Sequence, residues 1–279
     1  MANYTAADIK ALRERTGAGM LDVKKALDEA EGDAEKALEI IRVKGLKGVS
    51  KREGRSASDG LVAAHVADDA SGQTGVLIEL NSETDFVAKN ATFVTLAEQV
   101  LAAAVALGTD DVEAVLGSQV DGREVRTMID ETAATLGEKI VLRRVARVTA
   151  EKVSVYLHKV NKDLPPQVGV LVGTDAAGGA VGKDVAMHVA AFSPTYLTRE
   201  DVPAETVENE RRIAEETSRN EGKPEAALPK IVEGRLNGFF KESVLVDQAY
   251  AKEPKKSVGQ VLADAGGAVT GFARFRVGA

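Results

Sequence analysis

The hydrophobic pattern of this chain changes period near residue 60, and that change limits the folds open to it. Before Gly60, apolar residues recur every three or four positions; after it they alternate or gather in short runs bounded by turn residues. A chain patterned in this way joins a helical part to a part that contains sheet. Its 279 residues allow about two or three domains. Aromatic residues make up 4% and Trp is absent, so the cores must be built from Ala, Val, Leu and Ile.

The first 45 residues read as three short helices. Thr5 caps the first, with Asp8 three residues on, and Ile9 and Leu12 mark its buried side. Gly17-Ala18-Gly19 breaks it. Met20, Val23, Leu27 and Ala30 then recur at helical spacing, Gly32 ends that helix, and Asp33 caps a third carrying Ala34, Leu38 and Ile41. Gly45 is expected to stop it. Lys44 to Arg55, rich in Lys, Arg, Gly and Ser, reads as a solvated tether in preference to a nucleic-acid patch.

Beyond Gly60, residues 61–66 and 76–80 read as a hairpin closed by a turn cluster. Helices follow at about 91–106 and 123–136, then a strand at 140–148. A second unit repeats the order: strands at 153–157 and 168–172, a helix over 181–192, a helix over 257–265, and a strand over 269–277 with Val269, Ala273, Phe275 and Val277 on one face. Between its pieces, 197–245 reads as two helices, the first opening at Pro203, broken by Gly222-Lys223-Pro224. Its first arm is poor in apolar residues, so the pair either projects toward another chain or lies flat on its own domain.

Chemistry is sparse. The absence of Cys excludes disulfides and thiolate metal sites and suits a reducing, cytoplasmic setting. A net charge of −7 makes general nucleic-acid binding unfavourable. No apolar run approaches ~20 residues, so no membrane span is expected. His65 and His188 fall on apolar patterns and read as packed, hydrogen-bonded residues, whereas His158 sits at a strand end, where a contact role fits. Gly178–Asp184 resembles a phosphate loop but has the wrong glycine spacing and Asp184 in place of the hydroxyl, so it reads as a strand-to-helix turn. Glu83 and Asp85 could do acid–base work, but no nucleophile or metal set accompanies them. No cofactor or metal is expected.

Two stretches remain. In Arg13-Glu14-Arg15-Thr16-Gly17-Ala18-Gly19-Met20-Leu21-Asp22-Val23-Lys24-Lys25, the adjacent Met20 and Leu21 point about 100° apart on a helix, so one can be core while the other faces out. In Asn81-Ser82-Glu83-Thr84-Asp85-Phe86-Val87-Ala88-Lys89-Asn90, Phe86 falls where the chain turns. A lone Phe in a connection is usually packing, and the residues by themselves favour a plug in its own core over a probe for a partner.

Together these stretches resemble the two signature motifs of the elongation factor Ts family, and GEKIVLRRV, VGVLV, DVAMHVAA, VEGRL and the C-terminal SVGQVLADAGGAVTGFARFRVG agree in order along essentially the whole chain. The resemblance implies an α+β fold: a ubiquitin-associated-like bundle at 1–46, a basic linker at 47–58, a core subdomain at 59–149, and a second at 150–196 with 246–279. The helical hairpin at 197–245 would be an insertion in the second. It implies guanine-nucleotide exchange on the GTPase elongation factor Tu, by binding and without covalent chemistry. The partner contacts would be Thr84, Asp85 and Phe86, with Phe86 inserting between helices of the partner's G domain; Arg13, Met20, Leu21 and Lys24; Gly137; and His158. The hairpin leaves open a homodimer or a 2:2 complex. The loop after His158, with Pro165-Pro166, is longer than the family pattern suggests.

Overall fold

In the computed structural model, residues 3–16, 18–70 and 72–279 are described, with only the backbone described over 46–51. The chain opens with α1 (Ala6–Thr16), α2 (Met20–Glu29) and α3 (Ala34–Arg52). Thr5 and Asp8 form the expected reciprocal cap, Asp8 Oδ2 accepting from the Thr5 N–H at 2.7 Å and Thr5 Oγ1 from the Asp8 N–H at 3.3 Å. Asp33 Oδ1 accepts from the Glu35 and Lys36 N–H groups. Leu12, Val23, Ala26, Leu27, Ala37 and Ile41 fill the small core between the three helices.

Gly45 does not stop α3. The helix continues to Arg52, so most of the expected tether is helical. A Cβ on Gly45 would lie 2.1 Å from the Ala134 carbonyl oxygen. The glycine is there for close approach between helices, a role that spacing alone does not separate from a stop. Arg42 bridges Glu131, and Arg52 Nη1 donates to the Ala133 carbonyl at 3.3 Å.

Next come β1 (Asp59–Asp69), β2 (Gly72–Ser82), the single turn α4 (Asp85–Ala88), α5 (Ala91–Leu107), α6 (Val112–Gly117), a miniature hairpin of β3 (Gln119–Val120) and β4 (Arg123–Glu124), α7 (Val125–Leu136) and β5 (Val141–Ala150). The sheet order is β1-β2-β5, antiparallel throughout. The helices cover one face around Ile78, Leu80, Phe93, Val100 and Met128.

The second unit holds β6 (Lys152–His158), β7 (Val168–Thr174), α8 (Gly179–Phe192), α9 (Ala204–Asn220), α10 (Leu228–Ser243), β8 (Ala249–Tyr250), β9 (Glu253–Ser257), α11 (Val258–Asp264) and β10 (Val269–Arg276). Its main sheet has the order β6-β7-β10, again antiparallel. In both units a hairpin leads through helices to a third strand beside the hairpin's second. Its helical face packs on Val170, Val172, Val185, Val189 and Leu262.

The other faces of the two sheets pack on each other through Val62, Leu77, Val148, Val153, Leu171 and Phe275. Every residue of β7 is buried as a result, which explains its continuous apolar run in place of alternation. A Cβ on Gly169 would fall 2.6 Å from Leu77 Cδ1, and one on Gly75 2.8 Å from Val153 Cγ1; each glycine leaves room for a large residue of the opposite sheet. Glu79, fully buried on β2, ties the units further: Arg144 Nε donates to it at 2.7 Å and the Gly278 N–H at 3.2 Å.

The expected face of β10 needs correction. A bulge between Val269 and Gly271 shifts the register. Val269 and Phe272 face the helices, and Ala273, Phe275 and Val277 face the other sheet. Strict alternation cannot foresee an inserted residue.

The hairpin forms as expected. Helix α9 starts after Pro203, and α9 and α10 pack on each other through Val207, Ala214, Val232, Leu236 and Phe240. Arg199 fastens its base, bonded to Asp247 and, through Nη1 at 3.0 Å, to Asn237 Oδ1.

Candidate partner-binding site

The end of β2 runs into a turn that is fixed from several sides. The Thr84 side chain caps α4. Val87 and Ala88 sink into the core. Phe86, one residue earlier and so about 100° around the helix, is 72% exposed. Lys89 of the same turn lies over the ring, its Nζ 4.6 Å from the ring centroid. The core-plug reading of Phe86 is therefore overturned: Val87 and Ala88 take the core positions, and an exposed Phe is an apolar surface without a partner.

The turn is held by the segment that follows α7. Glu138 Oε2 accepts from the Glu83 and Thr84 N–H groups at 3.1 and 3.0 Å, and Glu138 Oε1 from the Thr84 hydroxyl at 2.6 Å. Glu83 returns the contact, with Oε1 accepting from the Lys139 N–H at 2.7 Å. Arg55 Nη1 lies 3.3 Å from both Glu83 oxygens. Glu83 is therefore committed to structural bonds and not free for acid–base work. Local pattern does not single out Glu138 and Lys139 as site residues. The signal available was only their place beside Gly137, since nothing in one sequence reveals a bond spanning 54 residues.

Gly137 caps α7 in the left-handed conformation at φ 79°, with open space around it. A groove of about 220 Å³ lined by Ala18, Gly19, Asp22, Gly45, Ala134 and Gly137 connects it to the start of α2. There Met20 and Leu21 are both exposed, at 60% and 72%. The expectation that one of them packs is corrected, because Val23, Ala26 and Leu27 already fill the bundle. Arg13 and Lys24 are exposed as well. The C-terminal end of α7 thus borders both the α2 start and the turn bearing Thr84, Asp85 and Phe86.

His158 belongs to a different place, at the end of β6. It is exposed, with Nδ1 3.1 Å from the Tyr156 hydroxyl. Leu157 and Val160 beside it are exposed too. The long loop beyond is anchored: Leu164 is buried and the Pro166 carbonyl accepts from the Val62 N–H at 2.9 Å. Of the other histidines, His188 is packed as expected, its Nε2 2.9 Å from Gln248 Oε1 and its Nδ1 accepting from the Ala251 N–H at 3.2 Å. Burial holds its pKa below the usual imidazole value, against the opposing pull of Gln248. His65 is exposed and not packed, because it lies on the open outer part of the edge strand β1.

The resemblance of 178–184 to a phosphate loop ends in the turn itself. Asp175 Oδ1 accepts from the Gly178 N–H at 2.7 Å and Oδ2 from the Ala268 N–H at 2.9 Å, so the chain's own carboxylate fills the place an anion would take. No group of His, Asp and Glu among the described residues could hold a metal ion, and no helix among them is long and apolar enough to cross a membrane.

Exposed apolar side chains on fixed backbone, with committed carboxylates beside them, are what a surface for binding another protein presents. A family model for elongation factor Ts matches residues 83–279. Along its whole length the chain is 72% identical to a protein named elongation factor Ts from Beutenbergia cavernae, 67% to one from Micrococcus luteus and 63% to one from Kocuria rhizophila, with each relative also covered completely. The chain belongs to the elongation factor Ts family, whose work lies in translation elongation.

Proposed function

We propose that this chain is the guanine-nucleotide exchange factor for elongation factor Tu. It binds the GDP-bound partner, disturbs the partner's magnesium and phosphate contacts, and promotes GDP release. It performs no covalent chemistry, so it is not an enzyme in the bond-breaking sense. The observation that carries this reading is the exposed Phe86, presented on a turn whose backbone is bonded on both sides, within the motif that resembles the family's signature.

An exchange factor must bind the nucleotide-free partner more tightly than the GDP-bound one, since only differential affinity shifts an equilibrium. Burying one Phe contributes roughly 1.5–3 kcal/mol, too little alone to expel a tightly held nucleotide. Arg13, Met20, Leu21 and Lys24 on the N-terminal bundle, Gly137 beside them, Thr84 and Asp85 flanking the wedge, and His158 on the second unit share the work. In this reading the bundle is ubiquitin-associated-like and the core divides at about residue 150. The protein acts in the cytoplasm, and the hairpin serves self-association or partner contact, with a homodimer or 2:2 complex as the assembly. The test is to load elongation factor Tu with a fluorescent GDP analogue and add the protein. Accelerated release is expected; unchanged release overturns the proposal.

A further inference from the structure

The connection after β2 carries the exposed ring of Phe86 on a backbone that its own sheet does not hold. Beyond Ser82 the ladder with β1 ends, and the Glu83 and Thr84 N–H groups need partners from elsewhere. Glu138 supplies them, with both carboxylate oxygens and three donors at 3.1, 3.0 and 2.6 Å. Bonds to a carboxylate are stronger than neutral ones. Glu83 answers from the other side by accepting the Lys139 N–H at 2.7 Å. The two short segments, 83–84 and 138–139, thereby hold each other's backbone through each other's carboxylates. Neither glutamate is exposed apolar surface, and neither needs to touch a partner to matter.

The same segment has a second attachment. Glu138 follows directly on the α7 cap, and Ala134 in the last turn of α7 is the residue against which Gly45 of α3 packs. The end of α7 is therefore bonded to the wedge turn on one side and packed against the N-terminal bundle on the other. A wedge gains from being held before it meets its pocket, because ordering it on binding would subtract from affinity.

We propose that Glu138 is a positioning residue for Phe86: its carboxylate sets the Glu83–Thr84 backbone, and through it the direction in which the Phe86 ring projects. This rests on the exchange reading above. Glu138→Gln retains an acceptor for the two N–H groups and an amide that the Thr84 hydroxyl can meet by accepting; Glu138→Ala retains neither.

The experiment is a two-residue cycle in the fluorescent GDP release assay, using the full chain with Phe86→Ala, Glu138→Ala, Glu138→Gln and the Phe86→Ala/Glu138→Ala pair. Loss of exchange activity of about tenfold to a hundredfold is expected for Glu138→Ala, the scale at which misplacing a positioned group acts, with Glu138→Gln closer to wild type. In the Phe86→Ala background, Glu138→Ala should add almost nothing. Amide hydrogen exchange in the free protein should speed up over 83–89 in Glu138→Ala while α5 and β2 stay protected, which separates a loosened turn from a failed fold. Wild-type activity in Glu138→Ala, or a full additional loss in the double variant, overturns the positioning role. If the wild-type protein itself fails to release GDP, it is the exchange reading that falls, and the amide-exchange result still decides whether Glu138 holds the turn.

Discussion

The two sheet units share a strand order yet treat the connection after the central strand in opposite ways. After β7, the chain closes on itself: Asp175 accepts from the Gly178 and Ala268 N–H groups, and α8 starts at Gly179. After β2, the chain makes a separate four-residue turn that is bonded from outside by Glu138 and leaves Phe86 in solvent. The sheets need their inner faces for each other, so neither can present a binding surface there. Connections at the ends of the strands remain, and of these two the one after β2 exposes a large apolar side chain while the one after β7 exposes only Ala176 and Ala177. A rigid scaffold with function on its connections is the usual division of work.

The sharpest way to break this comparison is to remove the exposed ring. Phe86→Ala should lower stimulated GDP release by about a hundredfold, a hot-spot loss of roughly 2–3 kcal/mol, while thermal melting moves little because the ring is 72% exposed. A large drop in melting temperature would mean that Phe86 holds the fold and that the two connections do the same job.

The opposite result is expected at the equivalent turn. Asp175→Ala leaves two backbone N–H groups without their carboxylate and should cost about 1–3 kcal/mol in a urea titration, with exchange by the folded fraction unchanged. A variant that exchanges poorly yet remains fully folded would show that the second connection also reaches the partner.

A third change tests whether the bundle and the wedge act together. Gly45→Val places a side chain where the Ala134 carbonyl lies 2.1 Å from the ideal Cβ position, so α3 must shift on α7. Overpacking of this kind costs about 1–3 kcal/mol, and exchange should fall severalfold as Met20 and Leu21 move relative to Phe86. Unaltered exchange would mean that the bundle contributes from whatever position it holds.

The hairpins, the central helices and the inserted helix pair are legible in the sequence because each rests on local periodicity. The features that are not legible share a physical cause. Gly45 reads as a helix stop, Phe86 as a plug and His65 as packed because a single sequence says which residues could be buried, not which of several candidates takes the place. Val87 and Ala88 outcompete Phe86; Val23 and Leu27 outcompete Met20. The β10 bulge and the Glu138–Thr84 bond depend on register and on contacts across 54 residues, and no local pattern encodes either. The exposure of Phe86 came only from the resemblance of NSETDFVAKN to a family motif.

The smallest effect expected is on pH dependence, and it is argued for one residue of the second unit. His188 is 1% exposed, stacked on Phe192 at 4.6 Å, with Gln248 and the Ala251 N–H on its two nitrogens and Tyr250 alongside. Burial depresses its pKa in the folded state. Below about pH 6.5 the unfolded chain takes up a proton on this imidazole that the folded chain refuses. The contribution is therefore complete above that pH and declines as pH falls toward the folded-state value. Urea midpoints at pH 7.5 and 5.5 should show this decline in the wild type and less of it in His188→Gln, which keeps polar atoms near Gln248 but does not titrate. Because His188 lies on the inner face of α8, far along the chain from the exposed turn, GDP release at pH 7.5 should be the same in both proteins. If His188→Gln slows release without unfolding, the packing beneath α8 bears on exchange as well as the exposed His158 edge, and the contrast between the two connections must be redrawn to include it.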